Sequence, residues 1–523
     1  MRIRPRITRA LFLAVGLLLS SAPAPLRVDA TQTSGRPAAA SAPRAETQDA
    51  IPKHPRDLKY HAWSYQPPNR EQYRHQLSSG AVAYLVEDHT LPLVNVSVFV
   101  RAGSFVEPPG KEGLARLTGD QLRGGGTTTK TPDQFDEAAE LLAADLTSAL
   151  GELIGGANLN CPSKELEAGL ALYFDMLRNP RFDESRLRIA KNQMLQQMER
   201  RNDRTDEIEL REWGRLLRGA RHFTNRLPTE ASLARITRDD LLDFHRRYYH
   251  PGALIFAVAG DFRTADMLSK FEVALKGWGD GSAARPVVPK PEYTPVAGVY
   301  LVNKPEADQG RVSIGHLAST RDNPDLYALS VMNDILGGGS LTSRLMSRVR
   351  TDEGLAYSAG STYGFGVYYP SEFRVSFQSK SASTARAVEI ALTEIERMRT
   401  AKVSAEELET AVNAAVESVP RYFANPTQAS MTFAQDEYAG RAADYWENYP
   451  RRIRSVTADD VLRVAQKYLQ PDRLVVLIVG NLDDIMKGDA ADPGHTVAAL
   501  ASGKKIQRIA LPDPLTMTYP ETR

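Results

Sequence analysis

ITRDDLLDFHRRYYHPGALIFAVAGDF (residues 236–262) aligns without gaps on VTADDVLRVAQKYLQPDRLVVLIVGNL (residues 456–482), at an offset of 220. Eight of 27 positions are identical, among them Asp239 and Asp459, Tyr248 and Tyr468, Pro251 and Pro471, and Gly260 and Gly480. Both copies carry the same local instructions. A threonine before two acids (Thr237, Thr457) reads as a helix N-cap, an amphipathic stretch follows, and proline ends it. An apolar run then stops at glycine, which reads as a buried strand. A second echo lies upstream. Val96-Ser97-Val98 and Gly124-Gly125-Gly126 return as Val312-Ser313-Ile314 and Gly337-Gly338-Gly339, at offsets of 216 and 213. Solenoid repeats recur every ~20–50 residues. Spacing this long implies a duplicated domain.

Working outward, the repeat predicts two homologous halves, 56–282 and 298–511. The linker 283–297 joins them, and a tail covers 512–523. SAARPVVPKPEYTPVAG (residues 282–298) carries four prolines, which keep the link extended. In the first half, Val82–Val86 and Val94–Val100 read as strands around the turn-like Asp88–Pro92. Helices are expected over Phe135–Leu150 and over Glu184–Arg201, the latter with Leu187, Met194, Leu195 and Met198 on one face. Strands followed by grouped helices predict an α+β class, each half an antiparallel-rich sheet with helices packed on one side.

The chain has 523 residues, 42% hydrophobic and 25% charged, which suits a soluble globular protein. Lys+Arg (65) and Asp+Glu (64) nearly cancel, so nothing global points to nucleic acid. The single cysteine, Cys161, excludes an intramolecular disulfide framework and a cysteine-cluster metal site, and reads as a small half-buried hydrophobe. Arg2, Arg4, Arg6 and Arg9 precede the apolar run Ala10–Leu19, and Val28-Asp29-Ala30 suits cleavage. Residues 1–30 therefore read as a signal peptide, and 31–55 as a flexible leader. The apolar run is about half the ~20 residues that a membrane-spanning helix needs. Removing five Arg and one Asp from a net +1 leaves −3. These features predict export, to a bacterial periplasm, with no transmembrane span in the mature chain. Residues 486–523 read as a processed or wrapping tail without an assignable role.

Three segments of the first half resemble the amino-terminal domain of the insulinase, pitrilysin and mitochondrial processing peptidase family. They are LPLVNVSVFVRAGSFVEPPGKEGLARL (91–117), YFDMLRNPRFDESRL (173–187) and RRYYHPGALIFAVAGDF (246–262). The second half resembles the carboxy-terminal domain through DILGGGSLTSRLMSRVRTDEGLAYS (334–358). The resemblance covers roughly residues 60–485 and implies two α+β domains that close like a clam shell over an extended peptide.

Catalytic members of that family bind zinc through an inverted His-x-x-Glu-His helix and a downstream glutamate. Two imidazoles and a carboxylate hold the metal, and the intervening Glu takes a proton from bound water. Here the histidine positions carry Arg116 and Asp120, the catalytic position Gly119, and the downstream ligand position Gln197. Arg116 has no lone pair to offer and Gly119 has no side chain. No two of the nine histidines are spaced i, i+4. His245 and His250 lie five apart near Pro251 and read as surface or helix-terminal residues. The chain is therefore expected to bind no metal of its own.

The second half keeps another part of the family's apparatus. A helix is expected after Gly337-Gly338-Gly339, with Leu341, Leu345, Met346 and Val349 on its buried face, ending at Gly354. Arg350 falls in its last turn and Tyr357 just after the chain reverses. Taken alone, such residues complement a helix dipole and pack in a strand. The resemblance implies instead that they bind substrate near the scissile carbonyl, as two donors suited to an oxyanion. The three glycines read either as a plain turn or as a loop that handles substrate. Some bacterial relatives place the zinc motif on one polypeptide and the Arg/Tyr pair on another. The resemblance thus implies a zinc-less subunit of an exported heterodimeric metallopeptidase, with peptide substrate and a homologous zinc-bearing partner. The alternative is a pseudo-peptidase that binds peptides or scaffolds an assembly.

Overall fold

The computed structural model describes residues 65–279, 285–339, 341–501 and 505–521. The expected signal peptide and leader lie outside the described residues. The first sheet contains β1 (Arg74–Gln76), β2 (Val82–Glu87), β3 (Leu93–Val100), β4 (Asp145–Leu150), β5 (Gly155–Pro162) and β6 (Leu254–Gly260), in the order β1-β2-β6-β3-β5-β4. The second half supplies β7 (Gly298–Asn303), β8 (Gln309–Leu317), β9 (Ser319–Thr320), β10 (Ala356–Tyr363), β11 (Phe365–Gly366), β12 (Glu372–Lys380), β13 (Val475–Gly480) and β14 (Ile506–Ile509). β9 and β11 form a separate two-residue pair. The other six run β14-β7-β13-β8-β12-β10, and five of them match the first sheet; the edge differs, since β1 pairs antiparallel with β2 whereas β14, the last strand, pairs parallel with β7.

The sequence repeat is visible atom by atom. Thr237 caps the helix Arg238–Tyr248, and Asp240, the second of its two acids, bonds back to the threonine amide at 2.8 Å. Thr457 and Asp460 do the same for the helix Ala458–Tyr468. Such boxes satisfy otherwise orphaned amides at a helix start. The upstream echo is in register with it, since Val96 faces Val258 across β3–β6 and Val312 faces Ile478 across β8–β13.

β6 and β13 are buried on both faces, which is why they read as unbroken apolar runs. One face of each sheet packs on its own half's core and helices, so the α+β class stands. The other face is covered by a helix from the opposite half. Ile208, Trp213 and Leu217 of the helix Thr205–Arg218 lie on β7 and β13. Ala429, Phe433 and Ala434 of the helix Pro426–Ala439 lie on β2 and β6. Each large side chain fully buried this way contributes ~1.5–3 kcal/mol. Polar contacts pin the exchange. Buried Glu209 accepts from Arg374 at 2.7 Å and from Ser313, while Glu437 takes two nitrogens of Arg74, both at 3.1 Å, and Tyr84 Oη at 2.9 Å.

Several sequence expectations need correction. Phe135–Leu150 is not one helix: the helix Pro132–Leu141 ends, Ala143 takes a left-handed φ of 47°, and β4 follows. Cys161 is fully buried rather than half-buried, and burial pushes its thiol up to about 11. His245 lies in the last turn of the helix Arg238–Tyr248, as expected, but is buried there rather than at the surface. Its Nε2 donates to the Leu177 carbonyl at 2.7 Å, its ring stacks on Tyr249, and burial pushes it down to about 4. The tail has a structural role, because β14 pairs with β7 and the chain then crosses to the first half. There Leu515 packs on the first core and its carbonyl accepts from the Glu230 amide at 3.0 Å.

Candidate functional site

The helix Leu114–Gly124 carries the positions of the expected metal motif. Leu114, Leu117 and Leu122 bury its inner face. Its N-terminus is closed by buried Glu107, whose carboxylate accepts from the amides of Gly113 at 3.1 Å and Ala115 at 2.7 Å. Burial outweighs those amides and pushes Glu107 up to about 7. Arg116 and Asp120 sit one turn apart on the outer side, 3.7 Å from each other. Gln197 arrives from the helix Glu184–Glu199, and Arg116 Nη2 donates to its Oε1 at 2.7 Å. The structure therefore brings together Arg116, Asp120 and Gln197, three positions that are 81 residues apart at their extremes.

Zinc does not fit this arrangement. The place between the two helices is held by a guanidinium, a fixed cation with donors only. At Gly119 a Cβ would fall 2.3 Å from the Leu150 amide nitrogen, so β4 leaves no room for a side chain there. Ser148 Oγ donates to the Gly119 carbonyl at 2.6 Å and locks that approach. Among the described residues, no group of three His, Cys, Asp or Glu side chains is arranged to hold a metal ion. Beside Arg116 lies a cavity of about 640 Å³.

Arg350 lies in the wide helical turn Met346–Asp352, anchored by buried Val349. Gly354 reverses the chain at a φ of 63°, and the Leu355 amide closes the turn on the Val349 carbonyl at 2.9 Å. Tyr357 is then the second residue of β10, at the free edge of its sheet. The Arg350 guanidinium stands 5.1 Å from the Tyr357 ring centroid, and Tyr357 is 87% exposed. Tyr357 is displayed outward, and half-buried Arg350 stands beside it in a cation–π contact. Leu345 and Val349 are buried as expected, but Leu341 is 63% exposed.

Gly337 and Gly338 end the turn Asp334–Gly338. A Cβ at Gly337 would meet the Ser361 amide nitrogen at 2.5 Å, so the turn lies flat on β10. Gly338 and Gly339 line a cavity of about 700 Å³ together with Asp334, which burial pushes up to about 6. Sequence reading missed Asp334 and Glu107; neither sits in a periodic pattern, and only their burial marks them.

Arg350 and Tyr357 do not line the cavity at Arg116. Arg116 and Asp120 lie on the helix Leu114–Gly124, which packs on the edge strand β4, whereas Arg350 and Tyr357 lie on the turn before β10 and on β10 itself, the edge strand of the other sheet. No helix among the described residues is long and apolar enough to cross a membrane.

Residues 82–213 match the family model for insulinase (peptidase family M16), and residues 235–415 match that for the peptidase M16 inactive domain. A Bacillus subtilis relative named as an uncharacterized zinc protease, YmxG, is 26% identical over 293 residues, 55% of this chain and 69% of its own. A Helicobacter pylori relative named as a non-peptidase homolog, YmxG, is 25% identical over 320 residues, 58% of this chain and 70% of its own. The crystal structure of the periplasmic protease PqqL from Escherichia coli superposes with a TM-score of 0.66 at 15% identity. That match covers 83% of this chain and 49% of PqqL.

Proposed function

The chain belongs to the insulinase family of peptidases (M16), and from that premise we propose that it is the zinc-less subunit of an exported heterodimeric metallopeptidase. A homologous partner brings the metal, and this chain lends Arg350 and Tyr357 to the partner's site. The observation that carries this reading is a contrast within one chain. The metal position is filled by the Arg116–Gln197 hydrogen bond, while Arg350 and Tyr357 are both present and adjacent, with Tyr357 exposed. Both side chains are donors, suited to hold a peptide carbonyl as it gains negative charge. The match to about half of PqqL supports pairing, because a protease of the same fold contains this two-domain unit as one half of its length.

The chain by itself is expected to be inactive. Purification of the mature protein from its native periplasm, with mass spectrometry of what accompanies it, tests the reading. A stoichiometric homologue carrying the His-x-x-Glu-His helix supports it. The second reading, a pseudo-peptidase that binds peptide or scaffolds an assembly, is favoured by the relative named as a non-peptidase homolog. Recovery of this chain alone, or with unrelated proteins, selects that one.

A further inference from the structure

The cavity beside Arg116 has a composition that the family resemblance does not account for. Its volume, about 640 Å³, lies within the usual range of ligand sites. Its lining includes the apolar side chains of Met194, Leu150 and Phe223. The lining also carries five arginines, Arg116, Arg200, Arg201, Arg204 and Arg226, against four acids.

These cations are poorly matched by carboxylates. Arg201 donates only to main-chain carbonyls, those of Pro228 at 2.8 Å and Pro514 at 3.1 Å. Burial, with Arg211 and Arg116 nearby, pushes it down to about 10. The hydrogen-bond partner of Arg116 is the neutral Gln197, and Asp120 stands back at 3.7 Å. Arg226 Nε is buried without a partner among the described residues. Arg200 is exposed and forms no ion pair among them. Of the acids in the lining, Glu107 is spent on two helix amides and Glu207 lies 3.5 Å from Arg204. Glu152 and Asp203 are what remain.

We infer that this cavity is a carboxylate-binding site: the lost metal position has become a cradle of guanidiniums that takes a carboxylate attached to an apolar body. Guanidiniums bind carboxylates through paired, charge-assisted hydrogen bonds. The apolar lining residues take the adjoining side chain. The carboxylate can come from an acidic side chain or from a peptide C-terminus. The inference rests on the cavity alone and needs no partner subunit.

Fluorescence anisotropy on the purified mature chain tests it, with three labelled leucine-rich hexapeptides. One carries two glutamates and an amidated C-terminus, one is neutral with a free C-terminus, and one carries two lysines and an amidated C-terminus. At least one carboxylate peptide is expected to bind about tenfold to a hundredfold more tightly than the lysine peptide. Whichever binds identifies the source. The preference is expected to shrink with added salt, and to be lost in Arg116→Gln combined with Arg200→Gln. Circular dichroism confirms that the variant is folded. Equal binding of all three peptides, or an undiminished preference in the folded variant, overturns the inference. Because the assay reads binding by this chain alone, its failure leaves the proposed role of Arg350 and Tyr357 standing.

Discussion

Arg116 Nη2 donates to Gln197 Oε1 at 2.7 Å, joining the two helices that in a zinc-bearing relative would be joined by the metal. The positive charge is still there, but it is covalently part of the chain and has no vacancy for water. The helix Leu114–Gly124 stays packed on β4 and capped by Glu107 although the motif it carried is gone.

Restoring the motif by substitution is expected to fail at residue 119. A Cβ there meets the β4 backbone, 2.3 Å from the Leu150 amide nitrogen. Gly119→Ala alone should cost ~1–3 kcal/mol through overpacking, read by urea unfolding. The quadruple change Arg116→His, Gly119→Glu, Asp120→His and Gln197→Glu should bind no stoichiometric zinc by elemental analysis. A stable quadruple variant with one zinc per chain would refute this.

Glu107 makes stability depend on pH in a stated direction. Its carboxyl is raised from 4.5 to about 7 by burial, so the folded state holds the proton more tightly than the unfolded chain. Stability from this group is therefore greatest below pH 4.5, falls as the pH rises to about 7, and is level above that. The span is on the order of 3 kcal/mol. Glu107→Gln should flatten that fall, gaining on the wild type at pH 8 relative to pH 4.5 in denaturant titrations. Parallel curves for the two proteins would contradict the assignment.

Much of the fold is legible in the sequence, because duplication writes each element twice. The pairs Thr237/Thr457, Pro251/Pro471 and Gly260/Gly480 mark the same cap, break and strand end. What is hidden is which surface an apolar face meets. Trp213 and Phe433 look like ordinary core residues, and nothing in their spacing says that each helix covers the other half's sheet. EAAELLAADLTSAL (137–150) contains no glycine or proline, so the helix end before β4 is invisible. The tail lacks a signal because β14 is four residues long. At the site, the residue types at 116, 119, 120 and 197 exclude the metal at once. Their hydrogen bond, and the arginines around it, come from loops and helix ends that follow no motif.

The exchange of helices should make the two halves unfold together. Glu209 sits buried on the first half's helix among Arg374, Ser313 and Arg311 of the second sheet. Glu209→Ala leaves those guanidiniums without their partner and should cost ~3–5 kcal/mol. Chemical unfolding followed by tryptophan fluorescence and by circular dichroism checks this. A change below 1 kcal/mol would show that the network does not hold the seam.

The tail is expected to act as a structural strap. Tyr519 Oη donates to buried Glu212 at 2.8 Å, and Arg215 lies 3.9 Å over the Tyr519 ring. Tyr519→Phe should cost ~1–2 kcal/mol, since Glu212 keeps Arg211 at 2.8 Å. Deleting 505–523 should cost more, because it also bares the β7 edge. Limited proteolysis of both variants reads this. A truncated chain as resistant as the full one would remove the strap from the account.

The central claim is that Arg350 and Tyr357 complete a partner's active site. The most direct measurement is peptide turnover by the reconstituted complex with Arg350→Ala or Tyr357→Phe, with assembly followed by size-exclusion chromatography. Removal of one oxyanion-type hydrogen-bond donor lowers kcat by about 10²–10³. The account predicts a fall of that order in each variant while the complex stays intact. Unchanged turnover in both, in an intact complex, would contradict it.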